Sequence, residues 1–435
     1  MRQEGLNFVV EGGRALKGEV TTSRSKNGAV ALLAATLLNR GTTTLEHVPK
    51  IEEVNRLIEI LRSMGVKVER AGHRVVVTPP EKLDLSHIDR EAATKTRSIL
   101  LFIGSLLHHA HTFDIPQSGG CTLGTRTVRP HLFALEKFGV SIEALTDRYH
   151  VKHKSLSPAE IILYESSDTA TENTLLVAAK IPGETVIKYA SANYQVQELC
   201  GLLQKLGVVI EGVGSTTLTV RGIKDIAVDV SYSVAEDPID SMFFIAAAIA
   251  TNSALTICRA PLDFLEIELV LLEKMGLTFT ITETGYSENG ITRLGDIAVR
   301  LSKIVAFPER LHPRPYPGLN MDNIPFFAVI AACAEGTTML HDWVYDKRAI
   351  YYTELERLGA QTLLHDPHRI SITGPTKWRA AEVICPSVLR IGAMLVVAML
   401  AAKGTSLLRN VYSINRGYEE LVPRLTALGA SIKEQ

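Results

Sequence analysis

Apolar and polar positions along this chain fall into a pattern that returns six times. An amphipathic stretch with helical spacing runs into a residue pair ending in glycine, then into a short segment of alternating character. The copies are ILRSMGVKV from Ile60, ALEKFGVSI from Ala134, LLQKLGVVI from Leu202, LLEKMGLTF from Leu271, ELERLGAQT from Glu354 and RLTALGASI from Arg424. Each predicts a helix closed by a left-handed glycine and followed by a strand. The glycines, Gly65, Gly139, Gly207, Gly276, Gly359 and Gly429, are separated by 74, 68, 69, 83 and 70 residues. A second kind of helix, apolar on nearly every face, precedes the later copies: ENTLLVAAKI, SMFFIAAAIA, IPFFAVIAAC and LRIGAMLVVAML. Such helices are expected to be buried, whereas the glycine-ended helices keep a charged face for solvent.

The unit is therefore a buried helix, a strand, an amphipathic helix and further strands. Its period is longer than the roughly 20–50 residues usual for a solenoid, and no polar capping repeats are evident. Three units closing into a globular domain, twice over, fit the pattern better. The expected seam is SVAEDPID, Ser233 to Asp240, where polar residues and a proline interrupt the apolar pattern.

Length and composition agree with two domains and narrow the partners. The 435 residues are 46% hydrophobic and 21% charged, with a formal net charge of −1. That balance argues against a nucleic-acid polycation or a disordered tail and makes a small molecule the default partner. Five cysteines without CxxC spacing read as free thiols of a reducing, cytoplasmic compartment. The first residues lack a signal-peptide core, and the longest apolar run, Ile391 to Ala402, has 12 residues, where a membrane span needs about 20.

Several short stretches could carry chemistry. SGGCTLGTR, Ser118 to Arg126, joins the strand-like HTFDIP to the helix ending at Gly139. Its glycines would let Cys121 approach a ligand, and the alternative is an incidental surface thiol. In TTSRSKNGAVALLAATLL, Lys26 and Asn27 stand at the start of an apolar helix, which makes either an anion site or an ordinary cap with a solvated lysine. No Walker-type phosphate loop occurs. Arg97 and Arg390 head apolar helices, and Arg416 lies at the approach to another. One such arginine is usually half of an ion pair; several at equivalent places in a repeat suggest convergence on a polyanion. Asp322, before a buried helix, is either its cap or a cleft carboxylate. The cluster HHAH, His108 to His111, lacks a metal-ligand spacing and reads as surface or capping.

Together the six-fold repeat, SRSKNG, TRSI around Arg97, GGCTLGTR, PYPGLNMD and the C-terminal NRGYEEL resemble the enolpyruvyl transferases, in register along essentially the whole chain, and most of all the branch acting on UDP-N-acetylglucosamine. The resemblance implies an α/β fold: a two-domain inside-out α/β barrel, or prism, of six βαβαββ repeats, with residues 23–234 forming one domain and 1–22 plus 235–435 the other. It implies that phosphoenolpyruvate gives its enolpyruvyl group to a nucleotide hydroxyl by addition and elimination of phosphate, with neither metal nor cofactor, and with nucleic acid and membrane playing no part. It leaves the oligomeric state open. It implies donor-binding roles for Lys26, Arg126 and Arg416, further cleft roles for Asn27, Arg97 and Arg390, and a general-base role for Asp322. Cys121 would deliver a proton, aid product release and be the residue alkylated by fosfomycin. These cations are expected to share one crevice.

Departures from the family cluster on the acceptor side. Where it has Pro-Val-Asp-Leu-His, this chain has Thr127, Val128, Arg129, Pro130 and His131. Its Ser-Val-Gly-Ala-Thr becomes Ser167, Asp168, Thr169, Ala170 and Thr171, so repulsion of a phosphate by Asp168 is expected unless Arg129 pairs with it. Its Arg-Glu-Pro-Glu becomes Ala192, Asn193, Tyr194 and Gln195, and a tryptophan of some members becomes Leu101. An aromatic acceptor position remains, as Tyr345. The acceptor is then UDP-N-acetylglucosamine or another nucleotide such as UMP; a ligand-binding relic is the non-enzymatic alternative.

Overall fold

The computed structural model describes residues 6–117 and 128–435. Six glycine-ended turns appear where the pattern puts them: Gly65, Gly139, Gly207, Gly276, Gly359 and Gly429 all have φ between +84° and +99°. The apolar helices, among them Lys26–Ala35, Asp168–Ala178, Pro238–Ala250, Ile324–Cys333 and Leu389–Ala401, are buried along almost their whole length. The amphipathic ones, such as Glu52–Ser63 and Tyr194–Lys205, cover them. One differs from the sequence expectation. Residues Arg348–Leu358 wind as a 3-10 helix, because Ala349, Tyr352, Leu355 and Leu358 are buried at intervals of three, the repeat of a three-residue turn.

The strands form four four-stranded and two three-stranded sheets among the described residues. The N-terminal strand Phe8–Gly12 lies between Gly404–Arg409 and Ser431–Glu434, with Val10 opposite Ser406 and Ile432. Lys17–Thr21 runs parallel to Ala254–Pro261. These pairings put the start of the chain with its second half, and apolar packing follows them. One core gathers Ala29 to Val234; the other gathers Phe8 to Val20 with Ile239 to Ile432. Phe243 is central to the second, in ring contact with Phe244, Phe326 and Tyr418.

Three glycines mark where a strand end abuts a buried helix. A methyl group at Gly12 would lie 2.1 Å from the Met399 carbonyl oxygen, at Gly222 2.2 Å from that of Ala178, and at Gly374 2.4 Å from that of Ala332. The chain passes between the two cores at two places that bond to each other: Ser25 N–H donates to the Ala235 carbonyl at 2.7 Å and Asp237 N–H to that of Ser23 at 2.8 Å. Arg24 and Arg259 both pair with buried Glu236, at 3.0 and 2.5 Å, and both reach Glu288.

Candidate active site

Helix Lys26–Ala35 starts beside this double crossing. Ser25 caps it, its hydroxyl accepting from Gly28 N–H at 2.9 Å, so Lys26 and Asn27 stand on the first turn. Lys26 Nζ donates to Asn27 Oδ1 at 3.4 Å, and Asn27 Nδ2 donates to the Tyr194 hydroxyl at 2.9 Å. The lysine keeps some solvent exposure yet is crowded. Burial above all, with Arg390 and Arg416 nearby, holds its ammonium pKa below the usual value, against the opposite pull of Glu53 and Asp322. Lys26, Arg390 and Arg416 therefore share one neighbourhood. The lysine is not the solvated cap residue of the alternative reading.

Arg416 reaches this place from the C-terminal end of the chain. Its Nε and Nη2 donate to Glu53 Oε2 at 3.2 and 3.0 Å. The other oxygen of Glu53 accepts the Ser98 hydroxyl at 2.8 Å and that of Thr96. Burial alone would push the Glu53 carboxyl up, but Lys26, Arg416 and the two hydroxyls bring it down to about 2. A folded-state value below the unfolded 4.5 contributes stability above the unfolded value, which is lost as pH falls toward the folded one. The stability gap between wild type and Glu53→Gln, measured by denaturant unfolding, should thus shrink by roughly 3 kcal/mol between about pH 5 and about pH 2. A gap that does not change with pH would contradict this pairing.

Arg390, on the first turn of Leu389–Ala401, is buried. Its Nε donates to Asp322 Oδ2 at 3.3 Å, and its guanidinium lies 5.4 Å from the centre of the Tyr418 ring. Burial opposes its charge, yet Tyr418, Asp322 and Asp237 together raise its pKa. Asp322 is not the helix cap. Asn323 occupies the cap position of Ile324–Cys333 and makes no side-chain cap bond, while the Asp322 carboxylate faces Arg390. Asp237, which caps Pro238–Ala250 by accepting from Ile239 N–H at 2.8 Å, is pushed up to about 6 by burial.

Several residues expected on the acceptor side meet at the start of helix Asp168–Ala178. Ser167 caps it, and the Thr169 hydroxyl lies 3.2 Å from His131 Nε2. Burial, reinforced by Arg97, lowers the His131 pKa to about 4. Asp168 is held by partners that sequence reasoning did not pair with it, all of them neutral donors that leave its negative charge in place. Its Oδ1 accepts from the Ser191 hydroxyl at 2.5 Å, and its Oδ2 from Asn193 Nδ2 at 3.1 Å and Gln195 Nε2 at 2.8 Å. The two amides sit in the stretch where the resemblance puts acidic residues, so both departures meet at one place in the fold. Burial and the charge of Asp322 raise the Asp168 pKa against the pull of these donors. Arg129 begins helix Arg129–Glu136 with an exposed side chain. Tyr345 packs on the second core, its ring 4.4 Å from the Arg348 guanidinium. Cys121 and Arg126 lie outside the described residues.

A pocket of ≈ 480 Å³ of empty space, counted out to open solvent, lies between Asp168 and Asn193 on one side and Phe264, Glu268, Arg314, Tyr316 and Met321 on the other. Phe264 bridges its aromatic wall, with ring centres 5.8 Å from Tyr194 and 5.3 Å from Tyr316. The arrangement offers a doubly anionic ligand fixed cations and offers the molecule beside it a carboxylate at Asp322. Sequence reasoning missed Glu53, Glu268 and Arg348. Glu53 looks like an ordinary acidic residue in a first helical turn, and only the fold brings it to Arg416.

The model of the EPSP synthase (3-phosphoshikimate 1-carboxyvinyltransferase) family matches residues 10–425. A UDP-N-acetylglucosamine 1-carboxyvinyltransferase of Treponema denticola is 32% identical over 427 residues, covering 98% of each chain. One of Bradyrhizobium diazoefficiens is 31% identical over 430 residues, again covering 98% of both. Among solved structures, the enolpyruvyl transferase NikO from Streptomyces tendae superposes with a TM-score of 0.86 at 23% identity over 99% of both chains. The EPSP synthase of Acinetobacter baumannii reaches a TM-score of 0.75 at 18% identity, covering 99% of this chain and all of its own.

Proposed function

This chain belongs to the EPSP synthase family of enolpyruvyl (1-carboxyvinyl) transferases, and from that premise we propose that it moves the enolpyruvyl group of phosphoenolpyruvate onto a hydroxyl of a nucleotide acceptor. The acceptor named for its relatives, UDP-N-acetylglucosamine, is the first choice, which would place the enzyme in peptidoglycan precursor synthesis in the cytoplasm. The observation that carries the reading is the convergence of Arg390, Arg416 and Asp322 on Lys26, with Arg390 paired to Asp322 and Arg416 to Glu53. The two cores are then two domains, 23–234 and 1–22 with 235–435, and the site is the cleft between them.

In this mechanism the cations hold the carboxylate and phosphate of the donor. Asp322 takes the proton from the acceptor hydroxyl as the hydroxyl oxygen bonds to C2 and the Cys121 thiol gives a proton to C3. One of the three C3 protons then passes to the Cys121 thiolate as the C2–O bond to phosphate breaks, so that acceptor and phosphoenolpyruvate become enolpyruvyl ether and inorganic phosphate. Fixed positive charge favours the departing phosphate without reorganisation. Cys121 and Arg126 are proposed in the proton-delivery and donor-binding roles that the resemblance gives them.

A second reading, another nucleotide such as UMP, is favoured by Asp168. Its carboxylate lines the pocket, held by neutral donors alone among the bonds described for it, where a diphosphate would meet like charge. Phosphate release with phosphoenolpyruvate and either UDP-N-acetylglucosamine or UMP separates the two. Release with the nucleotide sugar is expected, and Asp168→Asn should raise its kcat/KM relative to UMP about tenfold. Release with UMP alone would install the second reading, and release with no acceptor would remove both.

A further inference from the structure

The pocket beside Asp322 is lined by four carboxylates, Asp168, Asp263, Glu266 and Glu268, and, among the described residues, by one cation, Arg314. Opposite charges that line one pocket ordinarily pair with each other, yet every one of these acids is engaged elsewhere. Asp263 accepts from Arg293 Nε at 2.8 Å and Glu266 from its Nη2 at 3.2 Å. Glu268 accepts Asn320 N–H at 3.1 Å and Asn323 Nδ2 at 2.8 Å. Asp168 is taken by the hydroxyl and amides of Ser191, Asn193 and Gln195. Arg314 is left with no ion pair among the described residues.

A neutral group holds it instead. Arg314 Nε donates to His312 Nε2 at 2.8 Å. The other ring nitrogen, Nδ1, lies 3.3 Å from the Arg310 carbonyl. A carbonyl only accepts, so the ring proton sits on Nδ1 and Nε2 offers a lone pair. One side of the guanidinium is thereby fixed while its charge stays uncompensated. Its two Nη groups, a fork that matches two oxygens of a phosphate, keep their donors free.

The backbone that presents Arg314 is closed into a turn. Its N–H donates to the Leu319 carbonyl at 3.0 Å, and Gly318 N–H donates to that of Pro315 at 2.8 Å. A methyl group at Gly318 would lie 2.4 Å from Arg314 Cβ, so only glycine leaves room there for the arginine to set out. The Trp343 indole N–H ties the entry to the turn, donating to the Pro313 carbonyl at 3.0 Å. From the turn the pocket wall continues through Asn320 and Met321, next to Asp322.

We propose that Arg314 is a binding residue for the acceptor, receiving a phosphate group of the nucleotide on the wall opposite Asp168. A solvated surface arginine accounts for the exposure of this side chain, but not for a held guanidinium that declines four carboxylates of its own pocket. With the phosphate at Arg314, the acceptor avoids the charge of Asp168 and extends along the wall toward Asp322.

The inference rests on the nucleotide-acceptor reading, and binding measured apart from turnover separates the two. Wild type, Arg314→Gln and Arg314→Lys are titrated calorimetrically, as full chains, with UMP, UDP-N-acetylglucosamine and uridine, and phosphate release is followed in parallel. Arg314→Gln should weaken whichever nucleotide the wild type binds about ten- to hundredfold, the worth of a charge-assisted contact. Uridine, which has no phosphate, should change less than about twofold. Arg314→Lys keeps the charge without the fork and should show the same selectivity more weakly; it decides if Arg314→Gln does not fold. Unchanged nucleotide affinity overturns the proposal, as does an equal loss for uridine. A wild type that binds a nucleotide through Arg314 and releases no phosphate with phosphoenolpyruvate removes the transfer reading and keeps the subsite. Phosphate release with nucleotide affinity indifferent to Arg314 removes only the subsite, and a wild type that binds neither nucleotide removes both.

Discussion

Replacing Arg416 by alanine should reduce phosphate release from phosphoenolpyruvate by about 10³-fold and destabilise the protein as well. Under the proposed mechanism the first effect follows from removing a preorganised cation from beside a developing phosphate, where a single such contact is worth about 10²–10³ in rate. The second follows from Glu53, 2% exposed, which loses the two hydrogen bonds it accepts from the guanidinium. A buried charge stripped of its partner typically costs about 3–5 kcal/mol, and Lys26 close by places the expectation at the low end. The effects separate in the double variant Arg416→Ala/Glu53→Gln. Thermal unfolding should recover most of the lost stability, because the stranded charge is gone, while phosphate release stays at the single-variant level. Should the double variant regain activity along with stability, Arg416 would be a structural partner of Glu53 and no more.

Asp322→Asn should lower kcat by about 10²–10⁴-fold, the range typical of a lost general base, and leave phosphoenolpyruvate binding nearly intact. The amide keeps the shape of the side chain and can still accept from Arg390, so the loop has little reason to move. Isothermal titration with phosphoenolpyruvate and single-turnover phosphate release would read the two quantities separately. A variant that loses donor affinity and turnover in proportion would show that Asp322 serves mainly to orient Arg390, and the proton acceptor would have to be sought elsewhere in the cleft.

The repeat was legible because helix ends and strand alternation obey local rules. Gly65 and its five counterparts announce a backbone angle that no contact with the rest of the chain is needed to specify. Arg390 and Lys26 were legible because a lone cation at the head of an apolar helix is expensive unless something meets it. The partners are another matter. Glu53 meets Arg416 across 363 positions, and Asp168 meets Asn193 and Gln195 from a neighbouring helix start. In each case the side chain alone is unremarkable, and the three-dimensional juxtaposition gives it meaning. The 3-10 winding of Arg348–Leu358 was hidden for a related reason. Its three-residue apolar spacing also fits part of an α-helical face, and burial decides between them.

Gly12, Gly222 and Gly374 show how such a chain can keep its shape while its identity drifts. At each, the neighbouring helix carbonyl occupies the space any larger residue would need. Selection there acts on an empty volume, which no compensating substitution nearby can enlarge without shifting a whole helix. Two thirds of the residues can then differ from those of a relative matched along 98% of its length.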